Sequence, residues 1–326
     1  MPNQDNVSDI RVDELSIRTA IAEFDLKPFL IEMNIEENIF KTSLTGSIVL
    51  SDSYNIPAKF PIVGEETVNI NISLTGIDGR DDDLHLSINP PRMHVNSITG
   101  RYFTGKTPKA QIFTLELVSE QYMSNIHSKV SKSYNNTYIS DIVFDIYSKY
   151  LGNPNKLLIE PTDSIESCIV PNLHPLEAIK WITQRAVQDS GAGVNYLFFE
   201  TLSGVFFTSI NRLAEKEPQF TYKYIPRTGD SKGVEALSVG DFRIKNLYFM
   251  NQFDKASNSI NGLYASKLIT HDIVRKKITQ HDFNGFNDFV SLNHFGTFPV
   301  IASSEMEIKS ADLPRVTYAP PEDDNN

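Results

Sequence analysis

The first third of the chain alternates apolar and polar residues, which is the pattern of half-buried β-strands. Apolar side chains occupy every second position in four runs: Phe29 to Ile35, Val68 to Leu74, Leu84 to Ile88 and Phe113 to Leu117. Turn-forming residues separate these runs, among them Asp78-Gly79-Arg80-Asp81. Five or more such strands before residue 119 predict an antiparallel barrel or sandwich.

Two segments in the middle of the chain change to a helical period. The first has a single apolar stripe, formed by Ile139, Ile142, Val143, Ile146, Tyr147 and Tyr150. Thr137 is its predicted N-cap and Gly152 its stop. The second helix is predicted to begin near Pro175, to run through Val187 and to end before Gly191. Both stripes indicate helices that pack against a core.

β-structure is predicted again after the second helix. Two aromatic runs, Tyr196 to Phe199 and Val205 to Phe207, flank a turn and predict a hairpin. Further strands are expected around 220–225, 242–250, 260–270 and 272–282. The last residues, Tyr318 to Asn326, are proline-rich and acidic, which predicts disorder.

Charge and composition narrow the classes of function. The net charge of −11 argues against nucleic-acid binding, which relies on basic surface. Cys168 is the single cysteine, which excludes an intramolecular disulfide and fits a reducing cytosol. No apolar run approaches about 18 residues, so we expect no stable membrane insertion. The polar, acidic N-terminus predicts no signal peptide.

Chemistry-bearing motifs are sparse in the sequence. Seven histidines are scattered without metal-ligand spacing, and no nucleotide-binding or nucleophile motif occurs. Asp81-Asp82-Asp83 could bind calcium, but a solvated loop is the favoured interpretation because the spaced ligand pattern is missing. We therefore predict no catalytic, cofactor-binding or metal-binding residues. A pair of carboxylates for glycan hydrolysis is not excluded, because a sequence does not show the distance between two side chains in the fold.

An aromatic segment near the C-terminus has two interpretations. Phe283, Phe286 and Phe289 stand among polar residues, in a pattern that does not fit a buried strand. The rings could fold back onto a core, or they could form a contact surface for a partner.

Three segments of the chain carry a recognisable order of motifs. The first is a strand with an Asp-Ser-Tyr-Asn turn, Leu44 to Asn55, which runs on to the Pro-Ile-Val-Gly-Glu strand entry of Phe60 to Glu66. The second is a proline-started helix, Ile169 to Trp181, followed by the aromatic run Leu197 to Glu200, and the third is Gly262 to Asp272. Together these segments resemble the baseplate central hub protein of T-even-like contractile-tailed bacteriophages.

This resemblance implies a β-rich α+β fold with two tail-tube-like antiparallel β-barrel domains and an α+β insert containing two helices. The expected boundaries are 1–118 for the first barrel, 119–204 for the insert, 205–312 for the second barrel with insert elements, and 313–326 for a flexible acidic tail. It also implies a homotrimer, whose six barrels would match a hexameric tail tube on one side and a three-fold spike on the other.

The function implied is a structural, non-enzymatic virion part that forms a ring and a channel for DNA ejection, with no specific DNA binding. Its expected partners are itself, the tail tube protein, the central spike protein and neighbouring baseplate proteins, after assembly in the host cytoplasm. The lumen is expected to be acidic. The candidate interface residues are Asp52, Tyr54, Asn55, Phe60, Pro61, Phe283, Phe286 and Phe289. A tail-associated glycan hydrolase or a host-glycan-binding module is the alternative.

Overall fold

A computed structural model describes most of the chain. The described residues are 10–19, 21–60, 62–74, 86–88, 92–104, 110–152, 156–189, 195–217, 223–224, 243–244, 247–248, 254–289 and 314–319. The chain divides into two compact units: the first comprises Met1–Ser209 and Phe220–Lys245, and the second comprises Ile210–Gln219 and Asn246–Asn326. The predicted turns at 78–81 and 89–91 and the run Asp81-Asp82-Asp83 lie outside the described residues.

The described elements are mostly strands. The strands are β1 (Ile10–Arg18), β2 (Glu23–Asp25), β3 (Leu30–Glu36), β4 (Thr45–Asp52), β5 (Thr67–Leu74), β6 (Leu86–Ile88), β7 (Met93–Thr104), β8 (Ala110–Ser119), β9 (Val130–Tyr138), β10 (Leu157–Ile159), β11 (Ile165–Leu173), β12 (Tyr196–Thr201), β13 (Gly204–Ser209), β14 (Lys223–Tyr224), β15 (Arg243–Ile244), β16 (Ala265–Asp272), β17 (Lys277–Asn284) and β18 (Arg315–Ala319). The helices are α1 (Ile56–Lys59), α2 (Glu120–Ile126), α3 (Ile139–Tyr150), α4 (Pro175–Thr183), α5 (Ile210–Ala214) and α6 (Lys255–Ile260).

The first sheet confirms that the start of the chain is antiparallel β-structure. Its strands run in the order β2-β1-β5-β7-β8-β4-β3, with β6 paired to β5, and every pairing is antiparallel. The described pairings leave β2 and β3 at the two ends, so this sheet is open in the part of the chain that the structure describes. The fold class is therefore β-rich α+β.

Among the described residues, alternation places the cores of β5 and β8 as the sequence predicts, whereas the run from Phe29 to Ile35 departs from it, since Phe29 lies in a 3-10 turn before β3. Phe113, Leu115 and Leu117 are buried on one face of β8, facing the buried Leu50 of β4. Ile31 was expected on the buried face of β3, but it is 53% exposed. The register of β3 against β4 shifts between Leu30 and Glu32, so a bulge turns this side chain outward.

The first unit has a second hydrophobic core, built around α3 and α4. The predicted stripe of α3 is confirmed, since its five residues from Ile139 to Tyr147 are buried and Tyr150 packs partly against them. The buried faces of α4 and of the hairpin β12–β13 complete this core, with Ile179, Phe198 and Phe207 among its members. The predicted hairpin is thus confirmed as well.

Both helices differ from the prediction at one end. Thr137 was the predicted N-cap of α3, but it stays in β9 opposite Glu166, and the N-cap is Tyr138. The predicted second helix extends to Val187, whereas α4 ends at Thr183. Its last turn tightens, because the Arg185 N–H donates to the Ile182 carbonyl three residues back (3.0 Å).

Within the first unit, polar contacts join the first sheet to the insert. The Gln121 Nε2 group donates to the Thr42 carbonyl (2.6 Å), and the Leu44 N–H donates to Glu200 Oε2 (3.0 Å). The Leu202 N–H donates to Glu37 Oε1 (2.6 Å). The turn of the β12–β13 hairpin is therefore fixed against the segment that leads into β4.

The second unit contains a three-stranded sheet in the order β17-β16-β18. β16 and β17 form an antiparallel hairpin, and β18 pairs with β16 in parallel. The strand predicted over 260–270 begins only at Ala265, because Lys255–Ile260 form α6, whose N-cap Asp254 accepts from the Ser257 N–H (3.0 Å). Arg315–Ala319 form a strand where the sequence predicted a flexible tail; residues 320–326 lie outside the described residues.

Candidate interaction surfaces

Asp52 ends β4 and holds the loop that follows it. Its Oδ1 accepts from the Tyr54 N–H (2.7 Å), and its Oδ2 accepts from the Ile56 N–H (2.6 Å). Gln111 Nε2 also donates to Oδ2 (2.8 Å). The carboxylate is buried, so this candidate interface residue shapes the loop from inside.

Asn55 links that loop to strand β7. Its backbone is left-handed, with φ 60°, a conformation that asparagine tolerates better than most residues. Its Oδ1 accepts from Gln111 Nε2 (3.1 Å) and from Arg101 Nη2 (3.4 Å). Arg101 Nε in turn donates to Gln111 Oε1 (2.8 Å), so one polar network connects β4, β7 and β8.

Tyr54 and Phe60 belong to an aromatic cluster beside the loop. Phe24 contacts both Phe29 and Phe60, with ring centroids 5.8 and 5.6 Å apart, and Phe29 meets the edge of Tyr54 at 6.1 Å. Lys59 Nζ lies 4.8 Å from the centroid of the Tyr54 ring. The structure thus brings four candidate residues together, whereas Pro61 lies outside the described residues.

Two further aromatic residues at the same end of the sheet were missed by the sequence reasoning. Phe103 pairs with Gln111, which pairs with Asp52, and Tyr102 precedes it on β7. Tyr54, Tyr102 and Phe103 are 58%, 55% and 60% exposed, and we call them the sheet-end patch. Adjacent residues on a strand point to opposite faces, so the pair Tyr102-Phe103 could not be buried on one face, and both rings are exposed where β7 ends.

The phenylalanine segment follows β17 in the second unit. Phe283 is half-buried on β17, opposite Ser266, and Phe286 is exposed in the turn beyond it. Asn284 shapes that turn, since its Oδ1 accepts from the Phe286 N–H (3.1 Å). Phe289 is half-buried. Of the three rings, Phe286 is the one most available for a contact.

Among the histidines of the described residues, His174 has a structural role, whereas His94 Nε2 is buried without a hydrogen-bond partner. His174 is the N-cap of α4, and its Nδ1 lies 2.9 Å from the Ser128 carbonyl and 3.0 Å from that of Asn125. Burial raises the pKa of the Cys168 thiol and lowers that of His94. No group of three or more His, Cys, Asp or Glu residues that could hold a metal is found in the described ranges. None of the helices in these ranges is long and apolar enough to cross a membrane.

Comparison with known proteins finds one curated relative. Over 119 residues the chain is 29% identical to the probable baseplate hub protein of Vibrio phage KVP40. The match covers 36% of this chain and 27% of the relative, so the chain spans only part of that protein's length. No protein-family model matches the chain. The resemblance to baseplate hub proteins seen in the sequence is confirmed by this relative.

Two solved structures share the fold over nearly the whole chain. One is a tail protein from Neisseria meningitidis MC58, with a TM-score of 0.50, 10% identity, and coverage of 94% of this chain and 71% of that one. The other is the 43 kDa tail protein of prophage MuSo2 from Shewanella oneidensis, with the same TM-score and identity and coverage of 95% and 73%. At this identity the comparison shows a shared fold.

Proposed function

We propose that this chain is the central hub of a contractile phage tail baseplate, a structural part without catalytic activity. The observation that carries the proposal is the sequence match to a baseplate hub protein. The fold shared with two tail proteins, one of them from a prophage, over more than nine-tenths of the chain supports it.

In this proposal three copies form a ring. Each copy contributes two tube-like β domains, 1–118 and 205–312, on either side of the insert at 119–204, and the residues after 312 form a tail. Six β domains then meet the hexameric tail tube on one side, and the three-fold axis meets the spike on the other. A closed ring also covers strand edges such as β3, which would otherwise invite uncontrolled pairing.

Mass photometry of the purified chain tests the ring directly. At 36.8 kDa per subunit, a trimer gives a single species of about three times that mass. Negative-stain images of that species should show three-fold symmetry. A chain that stays monomeric with both the tube and spike proteins present contradicts the proposal.

The sheet-end patch is proposed as a contact surface within this assembly. Exposed tyrosine and phenylalanine rings beside an arginine have the composition that dominates binding energy at protein interfaces. These residues lie on a loop and a strand end that the Asp52 network already fixes, so little conformational entropy is lost on binding. Phe286 is proposed as a second contact, in the second unit.

Paired substitutions test the patch. Tyr54→Ser together with Phe103→Ser should leave the subunit folded, because both rings are largely exposed, but should weaken assembly at least about tenfold. Tyr138→Ser is the matched control, since this ring is 44% exposed on β9 of the insert. Equal loss of assembly in both proteins would show that exposed rings in general, and not this patch, drive association.

The channel is proposed to be acidic, so that DNA passes without binding. The net charge of −11 motivates this, because negative walls repel the phosphate backbone. DNA-binding assays on the assembled ring should show no affinity at low salt. Degradation of cell-wall glycan by the purified chain, abolished by one Asp or Glu substitution, would instead support the alternative of a tail hydrolase.

A further inference from the structure

A large cavity lies where the first sheet meets the insert, inside the first unit. It has a volume of about 840 Å³ and lies between the start of α2, the end of α3 and the turn of the β12–β13 hairpin. Ligand sites typically enclose about 300 to 1,000 Å³, so this junction cavity is large enough for several side chains.

Two buried acceptor groups line the junction cavity. Glu200 is 6% exposed and Gln121 is 4% exposed. Gln121 Nε2 donates to the Thr42 carbonyl, which fixes the orientation of the amide. Gln121 Oε1 is then left buried, with no hydrogen-bond partner among the described residues. Such an orphaned acceptor is costly unless a ligand or water donates to it.

Glu200 is the second buried acceptor of the lining. Its Oε2 accepts the Leu44 N–H, and burial raises the pKa of this carboxyl group. The Ser119 hydroxyl, the Leu44 N–H and the charge of Lys156 oppose that rise without reversing it. A cationic donor placed in the cavity would favour the ionised carboxylate of Glu200 and could donate to the orphaned Gln121 Oε1 at the same time.

The other charged residues of the lining are mainly basic. Arg92, Lys149 and Lys156 line the cavity together with Glu120. Lys149 also lies over the Tyr150 ring, 5.3 Å from its centroid, and Arg92 is exposed. These cations disfavour a ligand that carries positive charge alone, and they favour one that also carries a carboxylate.

We propose that the junction cavity binds a partner polypeptide segment, whose lysine side chain donates to Glu200 and Gln121 while a neighbouring carboxylate faces Arg92. The buried acceptors favour a positive charge on the ligand, and the basic lining residues favour a negative charge beside it. The inference goes beyond the hub function, because it assigns a ligand to a cavity that the hub function does not use, and its test needs no other tail protein.

Three small probes test the charge pairing by ligand-observed NMR on the full chain. The first is the acetylated dipeptide amide of lysine and glutamate. The second has an Nε-acetylated lysine, which removes the positive charge, and the third has glutamine in place of glutamate. We expect the second and third probes to bind about tenfold more weakly than the first.

Two substitutions locate the binding. Glu200→Gln removes the charge but keeps an oxygen for the Leu44 N–H, so the fold should persist and the affinity for the first probe should fall about tenfold. Arg92→Gln changes an exposed side chain, and should weaken binding of the first probe without affecting the third. Glu116→Gln, at a residue that does not line the cavity, is the matched control.

Three results would overturn the proposal. The first is equal binding of all three probes, or of none. The second is an unchanged affinity of the folded Glu200→Gln variant. The third is spermidine binding at least as tightly as the first probe with the same dependence on Glu200, which would assign the cavity to free polyamines. Loss of ring formation would contradict the hub function but would leave these binding results intact.

Discussion

Asp52, the last residue of β4, and Glu200, on β12, are both buried carboxylates of the first unit, but their hydrogen-bond donors differ. Asp52 accepts two backbone N–H groups and the Gln111 amide, all within 2.8 Å. Glu200 accepts one backbone N–H group, from Leu44 at 3.0 Å, and the Ser119 hydroxyl also favours its ionised form. Asp52 lies within the tight network at the end of the first sheet, whereas Glu200 lines the junction cavity.

The difference shows how local donors decide the role of a buried charge. A buried carboxylate stabilises a fold only when hydrogen bonds replace the water that it has lost. Asp52 has these bonds, so it acts as a structural anchor for the loop that carries Tyr54. For Glu200 the effect of burial outweighs its hydrogen bonds and raises its pKa, so its charge is costly in the isolated chain and is available to a ligand.

Removing the anchor should have the largest effect. Asp52→Ala leaves the Tyr54 and Ile56 N–H groups and the Gln111 amide without their acceptor, and should lower the free energy of unfolding by about 3 kcal/mol. Urea denaturation measures this loss. Asp52→Asn keeps part of the acceptor set and should lose clearly less; equal losses would show that the hydrogen bonds are not the cause.

Gln111→Leu should have an intermediate effect. Leucine fills a similar volume, but Asp52 loses one donor and Asn55 loses its link to β8, at a cost of about 1.5 kcal/mol in unfolding free energy. Arg101→Leu is the matched variant, since it removes the exposed end of the network and leaves the Asp52 bond intact. It should lose less than Gln111→Leu in the same denaturation experiment.

Glu200→Gln should have a small effect with the opposite sign at neutral pH. Because the pKa of Glu200 is raised, its stabilising contribution is present below the ordinary carboxyl value of 4.5 and is lost as pH rises through the raised value. Glutamine has no such titration. The wild type should therefore lose stability relative to the variant as pH rises from 4.5, and by pH 7 the variant should be the more stable by about 1 kcal/mol or less. Parallel denaturation curves between these pH values measure this, and a constant difference would contradict the assignment.

Tyr54→Ala should have the smallest effect on stability. The ring has an edge contact with Phe29 and a cation–π contact with Lys59, both at an exposed site, worth about 0.5 to 1 kcal/mol together. Tyr54→Phe keeps the ring and should change the unfolding free energy hardly at all. A loss as large as that of Asp52→Ala would mean that Tyr54 holds the loop, and not the reverse.

Periodic segments were predicted well from the sequence. The stripe of α3 and the alternation of β8 repeat one apolar position several times, so the burial signal accumulates along each element. Ile31 broke the alternation of β3 because a bulge shifts register locally, and nothing in the residue type marks it. Thr137 is a good capping residue, yet pairing with Glu166 keeps it in a strand, so tertiary contacts override local preference.

The polar networks could not be predicted. Leu44 and Glu200 stand 156 positions apart in the chain, and a hydrogen bond over that separation has no local pattern. The role of Asp52 depends on Gln111, which lies on β8, and the exposure of Phe103 depends on where β7 leaves the core. The sequence therefore predicted the loop that contains Asp52, Tyr54 and Asn55. It did not predict which of these side chains face inward.

The parallel strand β18 has a consequence for how the second unit is made. β16 and β17 are neighbours in sequence, so their hairpin can form on the microsecond scale as soon as both strands exist. β18 must reach β16 from much further along the chain, and closing that loop is entropically costly and slow. During synthesis one edge of β16 therefore stays unpaired until β18 has been made. In this interval the edge can pair wrongly with another copy of the chain.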